Sequence, residues 1–210
     1  MSRKRLAILS GCLIAFLLIV DQIIKIWVKT HFFLGEDVAV FGNWFHIHFI
    51  ENEGMAFGIS FGEQIGKFLL TFFRVVVVGF IIWYLVRHIR KGEGSVASVV
   101  TLSLVIAGAL GNIIDCLFYG LVFSESTVAA VATAFPADGG YAPFLFGRVV
   151  DMFYFPLFPI PESFPVFGGS YFFPAIFNFA DSCVTVGVVL VIIFSKRIFG
   201  SSEPAGSDAA

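Results

Sequence analysis

Four long apolar stretches dominate the pattern of hydrophobic and polar positions along this chain. They cover about residues 6–28, 68–86, 96–118 and 177–199. A helix needs about 20 mainly apolar residues to cross the hydrocarbon core of a bilayer. The pattern therefore predicts an all-α polytopic membrane protein with four transmembrane helices, built as one domain over residues 1–199 and followed by a disordered polar tail at 200–210.

Two longer connections, residues 31–67 and 119–176, separate these stretches and have mixed character. Within the first connection, glycines bound short runs at 38–41 and 44–50 that are rich in β-branched and aromatic residues. Such runs are typical of strands. We therefore expect a small extracytoplasmic β element beside the helices.

Basic residues indicate the orientation in the membrane. They cluster before the first apolar stretch, between the second and third, and after the fourth. Because cytoplasmic loops carry an excess of Lys and Arg, both termini are expected in the cytoplasm and both long connections outside a bacterial inner membrane. A net charge of −2 without a basic face gives no indication of a nucleic-acid partner.

The first apolar stretch allows two interpretations. Residues 9–12, Leu-Ser-Gly-Cys, match the pattern at which bacterial lipoproteins are lipidated and cut. Because the apolar run continues past Cys12, we favour a retained transmembrane helix. His46 and His48 would share one face of a strand, but they have no third ligand at useful spacing, so we expect no metal site there.

Carboxylates inside the apolar stretches are the candidate chemistry, since an ionisable group at that depth is costly and marks a functional site. Asp181 lies just inside the fourth stretch, three residues after Asn178, so that the amide can donate to the acid. Asn112 and Asp115 repeat this spacing at the outer end of the third stretch. Two further acids are expected at the same depth, Asp151 and Asp21, the latter four residues before Lys25 and able to pair with it.

Acids gathered at one depth cannot all ionise, because burial and like charges both raise the pKa. A shared proton suits an aspartic hydrolase, in which one carboxylate activates water while the other protonates the carbonyl oxygen. The same group could relay protons in a transporter, or serve only as hydrogen-bonded contacts between helices. Residue spacing alone does not choose two acids from the four.

Five motifs occur in order along the chain. They are Asp21-Gln22-x-x-Lys25, Asn52-x-Gly54-x-Ala56-Phe57, Gly111-Asn112-x-x-Asp115, Val149-Val150-Asp151 and Phe177-Asn178-x-Ala180-Asp181. Together they resemble the lipoprotein signal peptidase family, signal peptidase II. The resemblance implies a four-helix aspartic endopeptidase that cuts prolipoproteins just before a diacylglyceryl-modified cysteine. It also implies membrane lipids as partners, no cofactor, and a monomer.

Carried over motif by motif, the resemblance implies that Asp151 and Asp181 are the catalytic pair. The substrate-binding or supporting residues that it implies are Asp21, Lys25, Asn52, Gly54, Asn112, Asp115, Arg148, Asn178 and Ala180.

Two features depart from the family pattern. Cys116 stands where the family usually has an arginine, whose role Arg148 or Arg74 could take, and residues 119–146 are longer than the family norm and are interpreted as an outer lid or insertion. The alternative function is a small proton-coupled transporter, which would predict an internal repeat with interrupted helices in matching halves.

Overall fold

The computed structural model describes residues 1–53, 63–166, 168–195 and 198. It is mostly helical and carries a small antiparallel sheet. In chain order the elements are α1 (Arg3–His31), β1 (Asp37–Phe41), β2 (Phe45–Asn52), α2 (Glu63–Lys91), α3 (Val96–Ile114), a π-helical segment (Asp115–Tyr119), the single turn α4 (Gly120–Val122), β3 (Val149–Tyr154), β4 (Ile176–Phe177) and α5 (Phe179–Ile193).

Among the described residues, three helical stretches are long and apolar enough to cross a membrane: Arg3–His31, Ile65–Lys91 and Val96–Val122. The predicted multi-pass helical class is confirmed. The fourth apolar stretch forms the shorter helix α5, of 15 residues, so a fourth crossing stays a prediction. The predicted tail at 200–210 lies outside the described residues.

The start of the fourth helix was predicted two residues too early. Residues Ile176–Phe177 form β4, and α5 begins only at Phe179, after the N-cap residue Asn178. The apolar character of Phe177 continues into the helix, and therefore hydrophobicity alone does not reveal this boundary.

Small residues let α3 and α5 approach each other closely. A Cβ atom at Gly108 would collide with the backbone carbonyl of Ala180, and one at Gly187 would lie 2.6 Å from a methyl group of Val105. Close backbone approach through small residues is a common basis of helix packing in membranes. It brings the first turn of α5 against the last turns of α3.

The four strands form one sheet in the order β1-β2-β3-β4. The two strands predicted between α1 and α2 are confirmed, whereas β3 and β4 were not predicted. The sheet is fixed to the helices by a buried cluster that contains Val28 of α1, Tyr119 of the π-helical segment, Phe49 of β2, and Val150 and Met152 of β3. Because Val150 and Met152 face this cluster, the alternation of a strand directs Asp151 to the opposite face.

The π-helical segment and the chain that returns to it fix the start of β3. The Gly147 backbone N–H donates to the Cys116 carbonyl at 2.8 Å, and a Cβ atom at Gly147 would collide with the Asp115 carbonyl. Only glycine fits this approach. The backbone N–H of Val150 then donates to the Asp115 carboxylate at 3.3 Å, which ties β3 to the end of α3.

Candidate active site

The two acids implied as catalytic lie at the junction of the sheet and the bundle. Asp151, in the middle of β3, is 2% exposed. Asp181 occupies the third position of α5, in the first helical turn. The helix dipole favours a negative charge there.

Asn178 links these two carboxyl groups. Its side-chain amide donates to Asp151 Oδ1 at 2.6 Å, and its backbone N–H donates to Asp181 Oδ2 at 3.3 Å. In return its side-chain oxygen accepts from the Asp181 backbone N–H at 2.9 Å, which completes a capping box. Asn178 thus holds both acids while it begins α5.

Asn112 of α3 connects the acids to the helices. Its amide donates to Asp181 Oδ1 at 2.8 Å, while its oxygen accepts from the Asn178 amide at 3.1 Å and from Lys25 Nζ at 2.8 Å. Asn178 and Lys25 are fully buried, so these bonds form away from water. The amides fix the direction in which each carboxylate oxygen points.

A buried ion cluster of Lys25, Asp21 and Asp115 supports these contacts. Lys25 Nζ lies 3.1 Å from Asp21 Oδ2 and 2.8 Å from Asp115 Oδ2. The predicted pairing of Asp21 with Lys25 along α1 is confirmed. Asp21 also accepts from the Ala180 backbone N–H at 2.9 Å, so this cluster holds the first turn of α5 as well.

The predicted bond from the Asn178 side-chain amide to Asp181 is wrong, and the Asn112–Asp115 pair with the same spacing does not form such a bond either. Neither asparagine amide donates to the acid three residues later; Asn178 donates to Asp151, and Asn112 donates to Asp181. The reason is that Asn178 precedes its helix as the N-cap, and that Asp115 is already paired with Lys25. The amides therefore connect different elements.

Gln22 is the residue of this site that the sequence argument overlooked. Its amide donates to Asp21 Oδ2 and to Asp115 Oδ1, each at 3.1 Å, and its oxygen accepts from the Tyr119 hydroxyl at 3.1 Å. It therefore bridges the two acids that flank Lys25. Its position beside Asp21 in the first motif was the available signal.

On the sheet side, Asn52 donates to Asp151 Oδ2 at 3.2 Å, so each oxygen of Asp151 accepts from a different amide. The pKa of Asp151 is raised from 3.8 to about 7, because burial disfavours the charged form and the charge of Asp181 adds repulsion. The two amide donors act in the opposite direction. Asp151 is therefore suited to carry a proton near neutral pH.

Arg148 lies in a separate ion network rather than at the two acids. Its guanidinium contacts Glu51, Glu53 and Glu125, and Glu53 also pairs with Lys67 at the start of α2. The pKa of Glu53 is lowered, since these hydrogen bonds and charges outweigh its burial, which acts in the opposite direction. This network joins β2, the long connection after α4 and the start of α2.

The same network includes a second buried lysine that the sequence argument missed. Lys29 of α1 pairs with Glu51 and donates to the Ser126 hydroxyl at 3.0 Å. Ser126 belongs to the stretch 119–146, so the charges tie that longer stretch to the bundle. Its predicted role as a lid or insertion stays a prediction.

Arg74 reaches the position at which an arginine was expected. Its Nη1 atom lies 3.7 Å from Cys116 Sγ, within the range of a weak hydrogen bond to sulfur. Arg148 is held by its three glutamates, so Arg74 is the better placed of the two arginines. Gly54, implied as a supporting residue, lies outside the described residues.

The two strand histidines share a face, as predicted. His46 Nδ1 lies 2.6 Å from Asp37 Oδ1, and His48 Nδ1 lies 3.4 Å from Asp37 Oδ2. Both rings meet Tyr154 edge to face. Both side chains are half-buried on β2, an inner strand of the sheet, and the contacts described for them do not include Asp151.

Comparison with known proteins shows the family to which this chain is similar. Residues 13–197 match the family model described as signal peptidase (SPase) II. A lipoprotein signal peptidase of Porphyromonas gingivalis (strain W83) is 49% identical over 191 residues, covering 89% of this chain and 82% of the relative. One of Amoebophilus asiaticus is 33% identical over 181 residues, covering 83% of this chain and 72% of the relative.

Two solved structures share the fold, and both are described as bacterial membrane enzymes studied by the in meso method. The first, at 2.3 Å resolution, has a TM-score of 0.58 and 23% identity and covers 94% of each chain. The second, at 1.9 Å resolution, has a TM-score of 0.57 and 27% identity, with 88% of this chain and 90% of the other covered. With the family match over most of its length, this chain belongs to the signal peptidase II family.

Proposed function

We propose that this protein removes signal peptides from prolipoproteins, cutting just before a diacylglyceryl-modified cysteine, with Asp151 and Asp181 as the acid and the base. Family membership supports a protease, and the matches give no support to the transporter alternative. The observation that carries the assignment of residues is the bridge by Asn178, which contacts both acids at 2.6 Å and 3.3 Å.

The chemistry follows from the difference between the two acids. Asp151, with a pKa of about 7, carries a proton in a large share of molecules near neutral pH, and in that form it donates the proton to the oxygen of the scissile carbonyl. Asp181 accepts from the Asn112 amide and from the Asn178 backbone N–H, and it takes a proton from the attacking water. Asp181 then gives its proton to the leaving amine as the C–N bond breaks, and Asp151 takes a proton back from a hydroxyl group of the tetrahedral intermediate, so the two acids exchange roles.

The remaining residues act by positioning. Asn178 and Asn112 orient the two acids, and the cluster of Asp21, Lys25 and Asp115 supports the first turn of α5. Asn52 holds Asp151 from the sheet side. In this proposal the described residues need no cofactor, since water is the nucleophile.

We further propose four membrane crossings within one domain over residues 1–199, with both termini in the cytoplasm. The short helix α5 lies within the apolar stretch 177–199, which is long enough in the sequence to cross a membrane. The basic clusters then fall on the cytoplasmic side of a bacterial inner membrane. The sheet and the two acids, Asp151 and Asp181, face the outer side. A monomer suffices in this proposal, and membrane lipids surround the helices.

The test is cleavage by the purified wild-type protein in detergent of two peptides that share one prolipoprotein sequence. One carries the diacylglyceryl group on its cysteine, and the other carries a free cysteine. We expect the lipidated peptide alone to be cut, with mass spectrometry showing the modified cysteine at the new amino terminus. Equal cutting of both peptides, or of neither, would contradict the proposal.

A further inference from the structure

The connection between β3 and β4 forms a hairpin of its own, which we call the aromatic hairpin (residues 155–166 and 168–174). Its arms are held by backbone hydrogen bonds from Phe172 to Phe158 and from Ile160 to Ser170, each 2.8 Å long. The rings of Phe158 and Phe172 stack with their centroids 4.9 Å apart. The hairpin is therefore preformed rather than an irregular loop.

The aromatic hairpin lines a half-open cavity of about 570 Å³. That volume lies in the range of about 300–1,000 Å³ found for ligand sites. The walls are almost entirely apolar: Phe158, Ile160, Pro161, Phe164, Tyr171, Phe172, Phe173 and Pro174, with Ser170 as the exception. Such walls suit a ligand without polar groups along its length.

The aromatic hairpin exposes large apolar side chains. Phe164 is 60% exposed and Phe158 is 53% exposed. Glu162 is the one charged residue in the sequence of this hairpin. Exposed apolar patches of this kind mark interaction sites.

A row of rings connects this cavity to Asp151. Phe173 contacts Phe177 with centroids 5.9 Å apart, and Phe177 contacts Phe153 at 6.0 Å. Phe153 follows Asp151 by two residues along β3, so both side chains lie on the same face of the sheet. An apolar chain extending from the catalytic acids along this row would reach the aromatic hairpin.

We infer that the cavity of the aromatic hairpin binds one hydrocarbon chain of the lipid carried by the substrate. This inference rests on the proposed function, which places a lipidated cysteine next to Asp151. The continuity of the ring row favours a substrate chain over a free bilayer lipid, because a bilayer lipid would need no path to the acids. The concave shape also favours a ligand that enters, whereas anchoring to a bilayer needs only protruding rings.

Photo-crosslinking tests the inference directly. The probe is a diacylglyceryl-cysteine peptide with a diazirine at the end of one acyl chain, bound to the Asp181→Asn variant so that it stays uncut. We expect mass spectrometry to find the adducts on residues 158–173, and expect an excess of unlabelled lipidated peptide to suppress them. Adducts confined to the transmembrane helices would overturn the inference.

A second arm uses a phospholipid that carries the same diazirine. If it labels the aromatic hairpin as strongly as the peptide does, and the lipidated peptide does not compete, the cavity holds bulk lipid and the inference is wrong. The wild-type protein is assayed for cleavage of the unlabelled peptide in parallel. No cleavage would contradict the proposed function, whereas cleavage without adducts on the hairpin would overturn this inference alone.

A matched pair of variants separates the cavity from the hairpin as a whole. The double variant Phe158→Ala/Phe164→Ala removes two walls, and Leu157→Ala removes an exposed apolar side chain that does not line the cavity. We expect about a tenfold loss of adducts in the double variant, the ratio that about 1.4 kcal/mol produces. In the Leu157→Ala control we expect no loss of adducts. An unfolding midpoint equal to that of the wild type shows that the double variant is folded. Equal adduct yields in the double variant and the Leu157→Ala control would contradict the inference.

Discussion

Ionisation of Asp151 should oppose folding, and the size of the effect follows from its surroundings. Burial and the charge of Asp181 raise its pKa from 3.8 to about 7. This difference corresponds to about 4 kcal/mol between the two protonation states. Between these two pH values the folded state binds a proton that the unfolded state has lost, so stability falls as pH rises.

The perturbation is Asp151→Asn, which cannot ionise. The substitution also replaces one accepting oxygen by an NH₂ group, which then faces the donor amide of Asn52 or Asn178. Two donors facing each other cost about 1–3 kcal/mol, and this cost does not depend on pH. The free energy of unfolding of the wild type, relative to this variant, should fall by up to about 4 kcal/mol from pH 4 to pH 8.

The assay is reversible unfolding in mixed micelles with increasing dodecyl sulfate, repeated at pH values from 4 to 8. Asp138→Asn, at an exposed acid, is the control and should follow the wild type. In an Asp181→Asn background the repulsion is absent, so the pH dependence due to Asp151 should shrink. Parallel curves for the wild type and Asp151→Asn over the whole range would refute the reasoning.

Two further predictions concern the support of the site. Lys25→Met leaves Asp21 and Asp115 buried without their cation, and should cost about 3–5 kcal/mol of stability in the same unfolding assay. Adding Asp115→Asn to this variant should restore part of the lost stability. No recovery would contradict the pairing of Lys25 with Asp115. Gly111→Ala places a Cβ atom 2.5 Å from Asp21 Oδ2 and should cost about 1–3 kcal/mol with loss of peptidase activity. Gly79→Ala, whose Cβ atom meets nothing within 4 Å, is its matched control, and equal losses in the two would refute the clash.

The sequence predicted the local features of the site well. The pairing of Asp21 with Lys25 depends only on a spacing of four residues in one helix, and the structure confirms it. The first two strands were also predictable, because β-branched and aromatic residues lie between glycines. Each of these features depends on neighbours along the chain.

Contacts between elements were harder to predict. The exchange of partners between Asn112 and Asn178 depends on how α3 and α5 approach each other at Gly108, which spacing along either helix does not reveal. One local signal was available. Asn178 and Asp181 have the spacing of a capping box, which indicates a helix start instead of a position inside the apolar stretch.

The strand β3 was missed for a related reason. Asp151 interrupts an otherwise apolar run, and a buried acid argues against a strand interior when its partners are unknown. Those partners, Asn52 and Asn178, come from the strand paired with β3 and from the start of α5. The acid is tolerated because the fold supplies two donors.

The most direct test of the central claim is the turnover of a diacylglyceryl-cysteine prolipoprotein peptide by three variants: Asp151→Asn, Asp181→Asn and Asp115→Asn. All three remove one buried or partly buried carboxylate of the same cluster, so they differ chiefly in the role of the acid. We predict that kcat is abolished in the first two proteins while they remain folded, and that Asp115→Asn retains measurable turnover. Turnover by either Asp151→Asn or Asp181→Asn equal to that of Asp115→Asn would contradict the assignment of the catalytic pair.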